Sequence, residues 1–332
     1  MRLVNFIAGR IAVYVMVLAV GMTILFFVPR FAPTDPVDAM LAKIAVQSGY
    51  MDASQVDALR ASLSDTFGLD GSLLEQYGAF LRRVFVEFDF GPSLSMYPTP
   101  VMELISNALP WTFGLLFSAT IIAWVLGNFV GLLAGWKPNS NAGRAMEGLA
   151  ICLYPIPYYI VALILSVLFS YVWAIFPLTT TIRGAPWSWD LVRSIVWNSF
   201  LPAMAIVITT FGWWIISVKA QTQALKEEEF VRYARLKGLS DARLLGRYIL
   251  PNALLPQITF LALQIGLMFN GSLITEIIFD YPGLGLLIYK AVLQGDYNLL
   301  MGTISLSIVA VATATMIIDF LYPLIDPRIR HG

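Results

Sequence analysis

Residues 219–251 read Lys219-Ala-Gln-Thr-Gln-Ala-Leu-Lys226-Glu-Glu-Glu229-Phe-Val-Arg232-Tyr-Ala-Arg235-Leu-Lys237-Gly238, then Leu239-Ser-Asp-Ala-Arg243-Leu-Leu-Gly-Arg247-Tyr-Ile-Leu250-Pro251. The chain around this stretch is 58% hydrophobic and only 13% charged, yet seven of its 21 basic residues fall here. Each would cost about 2.5–3.5 kcal/mol at the centre of a bilayer. The island therefore sits in water, between two long apolar segments. That arrangement decides the class: an all-α integral membrane protein with a patterned polar loop.

Working outward, the mean hydropathy of +0.74 excludes an ordinary soluble domain. The net charge is zero, which gives no electrostatic case for nucleic acid as a partner. Cys152 is the single cysteine and His331 the single histidine, so neither an intrachain disulfide nor a His/Cys metal site nor a histidine-based triad is available. No phosphate-binding G-x-x-x-x-G-K-[ST] loop occurs, and Gly283-Leu-Gly285 lacks the rest of a dinucleotide fingerprint. There is no G-x-S-x-G elbow and no H-E-x-x-H helix.

A spanning helix needs roughly 20 mostly apolar residues. Six segments qualify: 6–29, 108–136, 147–176, 199–218, 254–279 and 299–323. The first reads as an uncleaved anchor, because its apolar run is too long for a signal peptide and no small-x-small site follows. With the N-terminus inside, thirteen basic residues lie on that side: Arg2, Arg10, Lys137, Arg144, the seven of the island, Arg328 and Arg330. The two short outer loops carry three, Arg183, Arg193 and Lys290. This asymmetry puts both termini and the island in the cytoplasm.

The expected organisation is an N-terminal span (1–29), an extracytoplasmic insert (30–104), a five-helix core (105–323) containing the loop 219–251, and a tail (324–332). In the insert, Ser54-x-x-Asp57 and Ser72-x-x-Glu75 are capping-box patterns. They open amphipathic helices carrying Val56, Leu59, Leu63 and Phe67, and Leu73, Tyr77, Leu81 and Val84 or Phe85. Pro110 is read as starting the second span and Pro202 as opening the fourth, with Pro155 and Pro157 inside the third. Glu147, Glu276 and Asp319 stand near span ends. That scarcity argues against a proton-coupled carrier, which relies on mid-span carboxylates. A membrane-embedded enzyme is the other alternative, and polar groups such as Gln264, Asn270, Asn198 and Ser199 are too sparse to support it.

The island has helical logic. Glu227, Glu228 and Glu229 precede Arg232, Arg235 and Lys237, an order that complements the helix dipole. Phe230, Tyr233 and Ala234 fall at i, i+3, i+4, and Gly238 stands where a left-handed cap is wanted. Ser240 and Asp241 open a second helix with the stripe Leu244, Leu245, Tyr248, Ile249, and Pro251 is expected to interrupt it before the fifth span.

At this point the sequence resembles the signature cytoplasmic loop of ABC importer permeases, Glu-Ala-Ala, three residues, Gly, nine residues, Ile-x-Leu-Pro. Ala234, Gly238, Leu250 and Pro251 match it, while Arg232, Tyr233 and Tyr248 depart. Tyr233-Ala-Arg-Leu-Lys-Gly-Leu239 is similar to the form found in the dipeptide/oligopeptide/nickel branch. Phe67-Gly-Leu-Asp70, Gln76-Tyr77, Phe90-Gly-Pro-Ser-Leu94, Asn252-Ala-Leu-Leu-Pro256, Tyr281-Pro-Gly-Leu-Gly285 and Asp326-Pro-Arg-Ile-Arg330 resemble that branch elsewhere.

The resemblance implies a type I ABC importer permease fold of six transmembrane helices, with a mainly helical insert between spans one and two. It implies a non-catalytic subunit that binds no cofactor, with ATP and Mg held by two cytoplasmic ATPase subunits. The other implied partners are a second homologous permease, an extracytoplasmic solute-binding protein and the lipid bilayer. Glu229, Phe230, Arg232, Tyr233, Ala234, Arg235, Lys237, Gly238, Leu239, Leu250 and Pro251 would form the ATPase-coupling element. Gly238 would allow a turn that a side chain would obstruct, so Gly238→Asp is expected to leave the chain in the membrane and abolish transport. Trp213, Trp214, Gln264 and Asn270 are the candidates for the translocation path. The solute would be a short oligosaccharide or oligopeptide. Tyr97-Pro-Thr-Pro-Val101, Leu109-Pro-Trp111 and Gly212-Trp213-Trp214 are more like saccharide-associated members; aromatic faces can stack on sugar rings, although tryptophan is also enriched at membrane interfaces.

Overall fold

A computed structural model describes residues 2–30, 37, 41, 52–67, 71–268 and 272–325. The motif residues 68–70, Asn270, 326–330 and His331 lie outside that set. The helices are α1 (Arg2–Arg30), α2 (Ala53–Phe67), α3 (Leu73–Arg82), α4 (Val101–Trp136), α5 (Asn141–Leu153), α6 (Tyr158–Val172), α7 (Trp189–Lys226), α8 (Glu229–Leu236), α9 (Asp241–Leu267), α10 (Leu273–Ile278), α11 (Leu284–Gln294) and α12 (Tyr297–Ile325). Five are long and apolar enough to cross a bilayer: Phe6–Val28 of α1, α4, α7, α9, and Tyr297–Phe320 of α12. The pair α5 and α6 makes a sixth crossing if counted as one, although it is bent by 94°.

That bend changes the expected third span. Pro155 and Pro157 break it outright instead of kinking it, because together they remove two amide donors and push Ile156 off the helical region. Pro157 is extended, and its carbonyl accepts the first amides of α6, from Ile160 and Val161. Other prolines did the reverse of what was expected. Pro110 and Pro202 lie inside continuous helices that begin at Val101 and Trp189. A spanning helix can lose one donor when neighbouring groups satisfy the backbone. Pro251 does not interrupt α9 either. The wide turn Leu245–Ile249 precedes it, with the Leu250 amide bonded back to Leu245, and relieves the crowding that its ring would cause. The fifth span ends at Leu267, short of 279, with α10 as a separate short helix.

The described residues fall into two compact units, Met1–Trp111 with Pro282–Met316, and Thr112–Tyr281 with Ile317–Gly332. In the first, Met22 and Phe26 of α1, Phe80 of α3, Val101 and Ile105 of α4, Leu284 of α11 and Leu299 of α12 share one core. The Ser72 cap and its box with Glu75 are present as expected, but Leu73 and Leu74 are exposed, and the packed face is Tyr77, Phe80, Leu81 and Val84. Tyr77 hydrogen-bonds Thr23 at 2.8 Å, and Arg30 donates to Gln76 while lying 3.6 Å from the Phe26 ring. Ser54 does not cap α2. That helix begins two residues earlier, at Ala53, where the Asp52 carbonyl accepts the Gln55 and Val56 amides and the Asp52 amide donates to the Gln55 side chain. Asp296 is buried at the start of α12. Its carboxylate takes hydrogen bonds from the Ser93 and Ser95 hydroxyls, the Ser95 amide (2.9 Å) and the Leu299 amide (3.0 Å). One carboxylate thus caps a span and fastens the end of the insert. The stretch 284–294, expected as loop, is the apolar helix α11.

In the second unit α4 and α7 approach very closely. A Cβ on Gly127 would stand 2.3 Å from Trp214, one on Gly131 2.8 Å from the Ile215 carbonyl and Val218, and one on Gly135 2.6 Å from Thr222. Three glycines four apart form one stripe, and such stripes let membrane helices pack backbone to backbone. Lys219, expected in water, is buried in α7 and paired with Glu147 of α5. Burial of a cation is tolerated when a counter-charge meets it. Glu276 of α10 is also buried, accepting from the Thr112 hydroxyl at 2.9 Å.

Candidate functional site

The island proves to be three pieces. Its first eight residues continue α7, so Lys219 and Lys226 belong to a spanning helix. Glu229–Leu236 then forms α8, begun at Glu228 without a side-chain cap and carrying Glu229 in its first turn and Arg235 in its last. Residues 241–267 form α9. Ser240 occupies the cap position of α9, but its side chain makes no capping hydrogen bond.

The turn between α8 and α9 is built on Gly238, whose φ is +79°. The Gly238 amide bonds to the Arg235 carbonyl at 2.9 Å, and the Leu239 amide to Ala234 at 3.4 Å. That pair of bonds is the Schellman closure of a helix. A Cβ on Gly238 would meet nothing within 4 Å. Glycine is needed here for its left-handed backbone: a side chain would strain the turn through φ, and not by striking a neighbour within this chain.

The packing of α8 also differs from the expected stripe. Val231 and Ala234 are the buried pair, while Phe230, Tyr233 and Leu236 are exposed by 40%, 61% and 86%. Val231 and Ala234 join Leu132 and Trp136 of α4, Val218 of α7, and Leu244 and Ile249 of α9 in one apolar cluster, with Leu239, Leu245, Tyr248 and Leu250 around it. Small side chains at i and i+3 bring α8 close to the helices beneath, and the large ones are left on the far face. Basic groups frame the cluster. Lys226 donates to the Trp136 carbonyl at 3.0 Å and, with Arg235, lies about 5.5 Å from the Trp136 ring. Lys237 stands 4.6 Å from the Tyr233 ring, and Arg232 and Glu229 are exposed. Leu250 is half-buried and Pro251 exposed at the outer side of α9.

The residues proposed for a translocation path scatter. Trp214 is buried against Gly127, a packing position that offers no face to a solute. Trp213 is half-buried, edge-on to Trp214 (4.6 Å) and to Phe260 (5.2 Å). Gln264 is exposed on α9, and Asn270 lies outside the described residues. Two features escaped the reading of the sequence. The glycine stripe on α4 carries a visible signal, three glycines at intervals of four in an apolar run. Leu236 carries none, because its exposure follows from how Val231 and Ala234 seat the helix.

Residues 127–331 match the family of binding-protein-dependent transport system inner membrane components. The chain is 31% identical over 314 residues to the oligopeptide transport system permease protein AppB of Bacillus subtilis (strain 168), covering 94% of this chain and 95% of that relative. It is 29% identical over 332 residues to the dipeptide transport system permease protein DppB of Escherichia coli (strain K12), covering 94% and 95%. The Bacillus subtilis dipeptide transport system permease protein DppB is 28% identical over 274 residues, covering 82% and 85%. The apolar helices, the charged loop that they carry and these matches agree: the chain belongs to the binding-protein-dependent transport system inner membrane component family, as a multi-pass permease subunit of an ABC transporter.

Proposed function

We propose that this permease forms half of the path of a peptide importer and receives the force of ATP hydrolysis through α8. The carrying observation is the two-sidedness of that helix. Its small side chains are locked into a cluster with α4, α7 and α9, while Phe230, Tyr233 and Leu236 face outward beside Arg232 and Lys237. A helix held on one side and apolar on the other suits insertion into a groove of a partner. Displacing it moves the ends of three longer helices.

In this reading both termini and α8 are cytoplasmic, and the 30–104 insert is outside, where it meets a solute-binding protein. Two ATPase subunits hold ATP and Mg, and a second, similar permease completes the path. Residues 229–239 with Leu250 and Pro251 form the coupling element. Peptides are the solute class, because the similar permeases are named for oligopeptides and dipeptides. The case for sugar stacking on Trp213 and Trp214 loses weight with Trp214 buried. A stand-alone proton-coupled carrier or membrane-embedded enzyme is set aside on the same family grounds.

Mild-detergent purification of the tagged chain tests this, with co-purifying chains identified by mass spectrometry. The wild type should bring down a second permease and ATPase chains. Tyr233→Ala with Leu236→Ala should keep the permease and lose the ATPase. Recovery of the chain alone, or unchanged ATPase with the double variant, would overturn the coupling assignment.

A further inference from the structure

Arg183, in the loop before α7, and Arg193, in the first turns of α7, line the same cavity of about 500 Å³. A cavity of that size lies in the range of small-ligand sites. Neither guanidinium has an ion-pair, hydrogen-bond or ring partner among the described residues. Asp190 lines the cavity too, but no ion pair joins it to either arginine. The lining therefore carries a net charge of about +1, with both cations available.

The walls are fixed. Asn198 is buried in α7 and clamps the loop, accepting the Thr181 amide at 3.0 Å and donating to the Thr181 carbonyl at 3.2 Å. The Arg183 amide donates to the Ser194 hydroxyl at 3.0 Å. Gly184 follows at φ +136°, where a Cβ would stand 2.6 Å from the Leu191 amide. Arg183 is thereby strapped over the face of α7 that presents Arg193 and Trp197 one turn apart. Trp197 is held rigid by stacking on Phe176, centroids 4.4 Å apart. The cavity thus gathers two cations and one carboxylate around an aromatic wall, and no ion pair joins them among the described residues. Two cations facing one cavity attract an anion into it, and arginine favours the planar, bidentate carboxylate.

We propose that this cavity is a subsite for the terminal carboxylate of the transported peptide, gripped by Arg183 and Arg193 beside Trp197. The inference rests on the peptide-import reading and deepens it by assigning part of the path. A carboxylate on the solute-binding protein and an anionic lipid headgroup offer the same chemistry, so the test separates the three sources.

The test uses the complete transporter in proteoliposomes with its loaded solute-binding protein. It measures uptake of radiolabelled tri-alanine, affinity for the binding protein, and photo-cross-linking by a tripeptide ending in benzoylphenylalanine with a free carboxylate. Arg183→Gln and Arg193→Gln should each lower uptake by about tenfold, the loss expected for one charge-assisted hydrogen bond. Arg193→Lys should recover part of it. Binding-protein affinity should stay unchanged, and the wild-type cross-link should map to 183–198 and fade in the variants. Unchanged uptake overturns the proposal. Weakened docking of the binding protein assigns the carboxylate to that protein and overturns it. A deficit that appears only in vesicles containing phosphatidylglycerol assigns it to lipid and also overturns it. Failure of the wild type to take up any peptide, with the transporter otherwise active, is instead failure of the peptide-import reading, and the inference falls with it.

Discussion

Helices α3 and α8 are both short and amphipathic, yet they end in opposite states. α3 buries Phe80 and packs Tyr77 against α1, and its large exposed hydrophobic residues are confined to the first turn, Leu73 and Leu74. α8 buries only Val231 and Ala234 and leaves Phe230, Tyr233 and Leu236 outside. In α3 the large side chains hold the helix to its own chain. In α8 the small ones do, and the large ones stay exposed. Which size of side chain faces inward separates a helix fastened by its large side chains from one that leaves them open, although both read as amphipathic.

Substitutions can break that contrast. The largest effect is expected at Phe80→Ala, which should destabilise the first unit by about 3–5 kcal/mol, the usual loss for a buried phenylalanine. Tyr233→Ala and Leu236→Ala should stay within about 0.5 kcal/mol, as exposed positions do. Thermal unfolding of the purified chain measures both, and equal losses would erase the distinction. Next, Asp296→Asn should cost about 1.5–3 kcal/mol, since charge-assisted bonds from the Ser95 amide and two hydroxyls are weakened together. Protease cleavage within the insert is the readout, and wild-type resistance would show that the anchor is dispensable.

Gly238 sharpens the comparison from the other side. Gly238→Val should cost about 1–2 kcal/mol for forcing a branched residue to φ +79°. Gly238→Asn should cost less, because asparagine tolerates that region. If uptake survives in Asn and fails in Val, the backbone alone matters. If Asn and Asp also fail while the chain stays in the membrane, the groove of the partner closes on this position. The smallest effect concerns the Ser72–Glu75 cap. The Ser72 amide holds the Glu75 carboxyl below the usual carboxylate range. A depressed folded-state pKa stabilises above the unfolded value, and the benefit is lost as pH falls through the folded one. Protease protection of α3 should therefore weaken in acid, and Ser72→Ala should flatten the dependence. An unaltered acid response in Ser72→Ala would remove Glu75 from the explanation.

Much of this was legible in the sequence. Apolar run lengths located the spans, because burying a helix in lipid requires about 20 such residues whatever surrounds them. The glycine at 238, the Ser72 cap and the pair of island helices follow from local backbone chemistry. What could not be read depends on neighbours. Four proline sites had three outcomes, a 94° break at Pro155 and Pro157, continuity at Pro110 and Pro202, and a wide turn before Pro251. Lys219 looks solvated until Glu147 is found beside it. The exposed face of α8 depends on Trp136 and Ile249, far away in the chain or in the next helix.

The length of α7 has a mechanical meaning. Its 38 residues extend about 57 Å at 1.5 Å per residue, nearly twice the roughly 30 Å of a hydrocarbon core. It begins at the arginine cavity and ends at the residue before the α8 turn. The glycine stripe joins it to α4 along the way. It is therefore a stiff beam with one end in each aqueous phase. A rotation of about 5° around its middle shifts each end by about 2–3 Å, in opposite directions. A pull on the short helix and the grip on a solute would then be two readings of a single angle.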